Sequence, residues 1–211
     1  DCAALGPLDS HYFRSWPLKT DAIFVGLDTS QRAVNYALRA GLLEAAVSRN
    51  LENENPAPEE AAVLRGANLI ISTGCVGYVT EKTLRRLLML QKWGAMPWVV
   101  NFVLRMFPYD MISDSLEDFG LVTEKLEGVT FIQRRFHSEA EFHSTIKALT
   151  ARGVNPEGKE AEGLLHAELY VSRPAEIVET APLNEIVSIT SGASRDYGRR
   201  FAPFSRKARP S

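Results

Sequence analysis

The sequence predicts an α/β fold, a doubly wound sheet that is mostly parallel and closes on an antiparallel last strand. Three observations carry this. Short runs apolar on both faces, 22–27 (AIFVGL), 68–72 (NLIIS) and 97–106 (PWVVNFVLRM), have the character of strands buried between two helical layers. Segments with helical spacing separate them, so strand and helix alternate as right-handed crossovers require. The late segment 164–172 (LLHAELYVS) alternates polar and apolar residues before Pro174, as an antiparallel or edge strand does.

Taken in order, residues 1–21 have no sustained period and read as an irregular segment or remnant. After the first strand, Thr29 or Ser30 offers an N-cap, Ala33, Val34, Ala37 and Leu38 recur at helical spacing, and Gly41 supplies a left-handed stop. Ala45 to Arg49 is a short strand, and Pro58 opens a helix that ends before Gly66. Thr80 caps the next helix, which places Leu84, Leu87, Leu88 and Gln91 on one stripe before Gly94. Beyond Pro108, 113–119 suggests a short helix, 121–135 one or two strands around Gly128, and Ser138 with Glu141 a capping box for a helix to Arg152. The domain is expected over 22–174. Residues 175–211 form an extension whose end carries Arg195, Arg199, Arg200, Arg206, Lys207 and Arg209 against Asp196, a mobile basic tail.

Composition narrows the partners. The 211 residues suit one α/β core, and the formal charge of −2 offers no field for a phosphate backbone, so nucleic acid is not expected. Cys2 and Cys75 cannot make a disulfide framework, no apolar run reaches the length of a membrane span, and no leader is visible. A cytoplasmic protein with no membrane partner is the expectation, its oligomeric state open.

In such sheets ligands gather beyond the carboxyl ends of the strands. The residues there are Asp28, Asn50, the loop Ser72 to Tyr78, and Arg105 to Asp110. Asp28 is placed either to cap the following helix or to accept hydrogen bonds from both hydroxyls of a ribose. The glycines of STGCVGY let backbone approach a ligand, or simply make a tight turn, and Cys75 reads as structural. His11, His137, His143 and His166 have no i, i+4 pairing, so no metal site is expected. His166 and Glu168 share one face of the last strand, where they would form an acid/base pair if that face met the pocket.

The order FVGLDTSQRAVNYALRAGLL, a strand ending RNLE, ANLIISTGCVGYV and WVVNFVLR resembles the second through fifth strands of class I S-adenosylmethionine-dependent methyltransferases, and the later block GLVTEKLEG through QRRF, the helix to RGVNPEGKEAEG, and HAELYVSRP is similar to a small-molecule branch of that family. The likeness covers about 22–174 and implies a Rossmann-like sheet of that family's type. It implies S-adenosylmethionine as cofactor and a small-molecule acceptor. Asp28 looks like the ribose-binding acid, with Thr29 and Ser30 beside it, and Asn50 and Leu51 look like the adenine-contacting position, where Asp is commoner. Thr73, Gly74 and Cys75 match the loop beside the methionine end. The resemblance places Tyr78, Arg105, Tyr109 and His166 on the acceptor side, with His166 and Tyr78 as catalytic candidates and Arg105 and Tyr109 as substrate contacts.

That family holds its cofactor with a glycine-rich loop after a first strand, and within residues 1–21 only Gly6 is found. The expectation is that this strand lies upstream of the sequence given or is supplied from elsewhere in the molecule. The alternative is a methyltransferase-like protein without methyl transfer, either a cofactor-independent cyclase or an interaction module.

Overall fold

A computed structural model of the chain describes Phe13 and residues 21–92 and 94–188. The basic tail and most of the N-terminal segment lie outside these. The described chain forms two compact units, one within Asp1–Asn68 and Val79–Met96, the other within Leu69–Tyr78 and Pro97–Ser211.

In the first unit β1 (Val25–Asp28) pairs in parallel with β2 (Ala45–Ser48), in the register Val25↔Ala45 to Asp28↔Ser48. Between them α1 (Gln31–Arg39) turns back through Gly41, whose φ of 71° is the left-handed stop the sequence suggests. The cap is Ser30, whose Oγ accepts from the Ala33 N–H at 3.3 Å. Two further helices follow, α2 (Pro58–Leu64) with Pro58 at its first position, and α3 (Glu81–Met89) capped by Thr80. The stripe expected on α3 is the buried one: Leu84, Leu87 and Leu88 are buried, and the Gln91 amide donates to the Leu64 and Leu87 carbonyls.

The second unit holds β3 (Leu69–Thr73), β4 (Trp98–Leu104), α4 (Asp110–Glu117), β5 (Leu121–Lys125), β6 (Phe131–Arg135), α5 (Glu139–Ala151) and β7 (Leu164–Pro174). Two short helices, α6 (Ala175–Thr180) and α7 (Leu183–Ile186), close it. β3 and β4 are parallel, and β7 runs antiparallel to β4, β5 and β6. Every strand here except β7 therefore points one way, the α/β arrangement expected. The strands fall into two sheets, β1–β2 and β3–β4–β7–β5 with β6 also on β7. No described strand pairs with the second edge of β1 or of β3.

Alternation sets the two faces of the larger sheet. Phe102, Leu104, Leu165 and Ala167 face one side, where Phe136 and Phe142 pack on them, and Leu169 and Val171 join Leu183 of α7 on the same side. Val99, Asn101 and Val103 face the other, with Tyr170 and Ser172 of β7 opposite them or one residue along. Arg173 is fully buried on the first side. Its guanidinium donates to Glu124 from Nε (3.0 Å) and from a second nitrogen, donates to the Ala181 carbonyl at 2.8 Å, and lies over the Trp98 ring at 5.4 Å. It thus ties β7 to β5 and to the end of α6.

Candidate functional site

Candidate residues occur in both units, at the carboxyl ends of parallel strands. In the first unit Asp28 ends β1. Its Oδ1 accepts the Ser30 N–H at 2.7 Å, and the helix-capping hydroxyl is that of Ser30. Of the two roles the sequence allowed, capping is thus performed by the neighbour, and the exposed Asp28 carboxylate keeps an oxygen for another group. Thr29 offers its carbonyl to Ser48 Oγ at 3.4 Å, across the parallel pair.

Beyond β2 the segment 49–57 is tied down by its own polar groups. Asn50 Oδ1 accepts the Glu52 N–H at 3.0 Å, and Leu51 is buried. Arg49 makes a two-pronged ion pair with Glu60 and reaches Glu54 at 2.9 Å. Glu52 takes the Thr80 N–H at 2.9 Å, the Thr80 hydroxyl at 2.7 Å and the Thr83 hydroxyl. Burial pushes the Glu52 carboxyl up, and these donated hydrogen bonds outweigh it and hold the group below its usual range. Arg86 donates to the Leu51 carbonyl and to Asn55 Oδ1. The adenine-side candidates Asn50 and Leu51 therefore stand on a fixed loop. Nothing in their own spacing reveals Glu52, whose partners are about thirty residues away.

In the second unit the end of β3 and the loop after it carry four of the candidates, Thr73, Gly74, Cys75 and Tyr78. Gly74 (φ 65°) donates its N–H to the Phe102 carbonyl at 2.8 Å, and the Tyr78 N–H closes a turn on the Cys75 carbonyl at 2.9 Å. Cys75 Sγ sits 3.5 Å from the Thr73 carbonyl. Two close approaches explain the glycines. A Cβ on Gly77 (φ 113°) would stand 2.6 Å from the Phe107 ring, and one on Gly74 would stand 3.3 Å from Gln133 Nε2. Tyr78 is 82% exposed, so its ring is available to a ligand. Arg134, beside this loop, pairs with Glu141, and that pairing with the His137 N–H holds the Glu141 carboxyl at about 2.

Gly77→Ala is expected to lower stability by about 1–3 kcal/mol, because the new methyl group meets Phe107 on a backbone that side chains rarely adopt. A urea titration of Gly77→Ala, Phe107→Ala and the double variant measures it. The double variant should lose less than the sum of the two, since the collision disappears and the backbone strain stays.

The remaining candidates lie on the other face of the sheet or at its end. Tyr109 is buried and stacks on Tyr170 with ring centroids 4.3 Å apart. Its hydroxyl accepts from Asn101 Nδ2 at 2.6 Å, Asn101 in turn accepts from Ser72 Oγ, and Ser172 Oγ lies 2.8 Å from Thr123 Oγ1. Burial raises the Tyr109 phenol against the Asn101 and Ser172 hydrogen bonds, so it stays protonated. Arg105 makes a buried ion pair with Glu160 at 2.6 Å and donates to the Asn155 carbonyl at 3.0 Å. His166 is buried with Nδ1 3.0 Å from Thr130 Oγ1, and burial, then the charges of Arg105 and Lys159, keep its imidazole neutral.

His166 and Glu168 do share one face of β7, as the alternation predicts, and no hydrogen bond or ion pair joins them. Glu168 is engaged instead by Lys125 at 3.0 Å and by the Tyr170 hydroxyl at 3.2 Å. The structure thus gathers Thr73, Gly74, Cys75 and Tyr78 into one loop with Phe107 and Gln133, and sets Tyr109 and His166 apart from it. Among the described residues no group of His, Cys, Asp and Glu is arranged to hold a metal ion, and no helix is long and apolar enough to cross a membrane.

No family model matches the chain, and no curated protein does. Among solved structures, it is similar to the plantazolicin methyltransferase BpumL in complex with a triazolic desmethylPZN analog and SAH. That match has 13% identity and a TM-score of 0.38, covering 78% of this chain and 71% of the other. It is also similar to the plantazolicin methyltransferase BamL with the same two ligands (13%, TM-score 0.38, 80% and 73%). A third likeness is to precorrin-6y C5,15-methyltransferase from Geobacter metallireducens GS-15 (13%, TM-score 0.36, 80% and 88%).

Proposed function

We propose that this chain takes part in S-adenosylmethionine-dependent methyl transfer to a small-molecule acceptor. The observation that carries the reading is Asp28, an exposed carboxylate at the end of a parallel strand whose expected competing duty, capping α1, belongs to Ser30. A carboxylate there has the acceptor geometry that a ribose diol needs. Asn50 and Leu51, at the end of the adjacent parallel strand, border the adenine on this reading, and Thr73, Gly74 and Cys75, within the second unit, are the residues that the family resemblance assigns to the methionine end.

When bound, the sulfonium supplies an activated methyl group and an excellent leaving group. What the protein adds is alignment. The acceptor's proton would pass to a base or to water. His166 is buried and stands apart from the Thr73 to Tyr78 loop, so the proton is left to water, and Tyr78 has the exposure that a substrate contact requires. Because Tyr78 shares the loop with Thr73 to Cys75, we place the acceptor on that side. Arg105 and Tyr109 then act by fixing the end of β4.

Calorimetric titration of the full chain with S-adenosylmethionine tests this. The expected result is binding by the wild type and at least tenfold weaker binding by Asp28→Ala, the worth of one charge-assisted hydrogen bond or more. Equal affinities would remove Asp28 from the role, and absence of binding by the wild type would remove the reading. A second reading, an interaction module of the same fold, is favoured by β3. Its second edge is unpaired among the described residues, and Leu69 and Ile71 are exposed on it.

A further inference from the structure

The β6 strand contains one irregularity, and it falls beside the loop just described. β6 pairs with β7 as Phe131↔Ala167 and Ile132↔His166, and resumes as Arg134↔Leu165, so Gln133 is an extra residue without a partner. A bulge of this kind breaks the ladder and redirects a side chain. Here the redirected side chain ends against Gly74. Nε2 and Cδ of Gln133 lie 3.3 Å and 3.5 Å from where a Cβ on Gly74 would stand. The strand is carried to that position by Phe131, which meets Phe102 edge to face at 5.0 Å, while Phe102 holds Gly74 through its carbonyl.

An exposed glutamine on an edge strand is ordinary. The bulge and the approach to a left-handed glycine are two separate geometric facts, and both point the amide at the same loop. Among the described residues no hydrogen bond engages that amide, although the next residue, Arg134, donates to Glu141 and to the Arg135 carbonyl. The amide brings two donors and one acceptor, all uncharged, to a loop whose own N–H at Gly74 is already spent on Phe102.

We propose that Gln133 is a further ligand-contacting residue of this site, hydrogen-bonding a polar, hydrogen-bonding group of the molecule held against Thr73 to Cys75. The inference rests on the methyl-transfer reading, in which that group belongs to the amino-acid end of the cofactor. The sequence gives no sign of it, because a bulge residue is recognised only once the partner strand's register is known.

The test titrates S-adenosylhomocysteine into the full-length wild type, Gln133→Ala and Ile132→Ala, with unfolding midpoints measured alongside. Ile132 is the exposed neighbour on the same strand. The expected result is about fivefold weaker binding by Gln133→Ala, the loss of one net hydrogen bond, at an unchanged midpoint, with Ile132→Ala binding as the wild type does. Equal affinities of Gln133→Ala and wild type would overturn the proposal and leave the methyl-transfer reading standing, as would equal losses in both variants. A wild type that binds no S-adenosylhomocysteine overturns the reading itself and this inference with it.

Discussion

Arg105→Ala is expected to destabilise the protein by about 3–5 kcal/mol, because it strands Glu160 as a buried carboxylate without its partner. The Arg105 and Glu160 side chains are 8% and 1% exposed, so little solvent is available to replace the lost pairing. Burial already pushes the Glu160 carboxyl up against the pull of Arg105, so in the variant it should take up a proton at higher pH still. Replacing both residues together, Arg105→Met with Glu160→Gln, removes the isolated charge and should recover much of the loss. Urea unfolding followed by tryptophan fluorescence reads all three. Wild-type stability in Arg105→Ala alone would show that the guanidinium is not committed to Glu160 and is free to meet a substrate.

Arg173→Ala carries the second large expected effect, again about 3–5 kcal/mol. Among the described residues Arg173 is the largest fully buried side chain, and its loss removes the donors to Glu124 and to the Ala181 carbonyl together with the contact on Trp98. Glu124→Gln should cost distinctly less, since the Glu124 side chain is 25% exposed and water can take its place at the open side. The comparison of the two in the same urea experiment is the check. Equal losses from both would mean that the ion pair, rather than the burial of Arg173, sets the cost.

Much of the fold was legible because it rests on local patterns. The double-sided apolar runs at Val25, Leu69 and Trp98 become parallel strands, and the polar–apolar alternation from Leu164 becomes the antiparallel one. The Thr80 cap is as read, and at α1 the choice between Thr29 and Ser30 resolves to Ser30. At Ser138 the hydroxyl caps Glu141 N–H as a capping box requires, while the returning carboxylate takes the His137 N–H one residue earlier. The helices α6 and α7 leave no signal in the sequence, because at 6 and 4 residues they are too short to show a period.

The site was legible only in part, for a different reason. Strand ends can be counted along the chain, so Asp28, Asn50 and the Thr73 to Tyr78 loop could be named in advance. Whether a named residue is free cannot be counted. Arg105 looked available until Glu160 came beside it from 55 residues away. Glu52 and Gln133 were invisible because their positions depend on partners in other elements, Thr80 and Thr83 for one and Gly74 for the other.

The long last strand has a consequence for how the chain comes to be ordered. β7 is 11 residues long, and along one side it receives β5 at Tyr170 to Pro174 and β6 at Leu164 to Ala167, while β4 occupies the other. Neither β5 nor β6 has another described strand to hold it. On a ribosome, where residues emerge in order, both must wait with their backbone groups unpaired until the segment from Leu164 onward has been made. The larger sheet is therefore completed by its final strand, and synthesis halted before Leu164 would leave only the β3–β4 pair able to form in this half of the molecule.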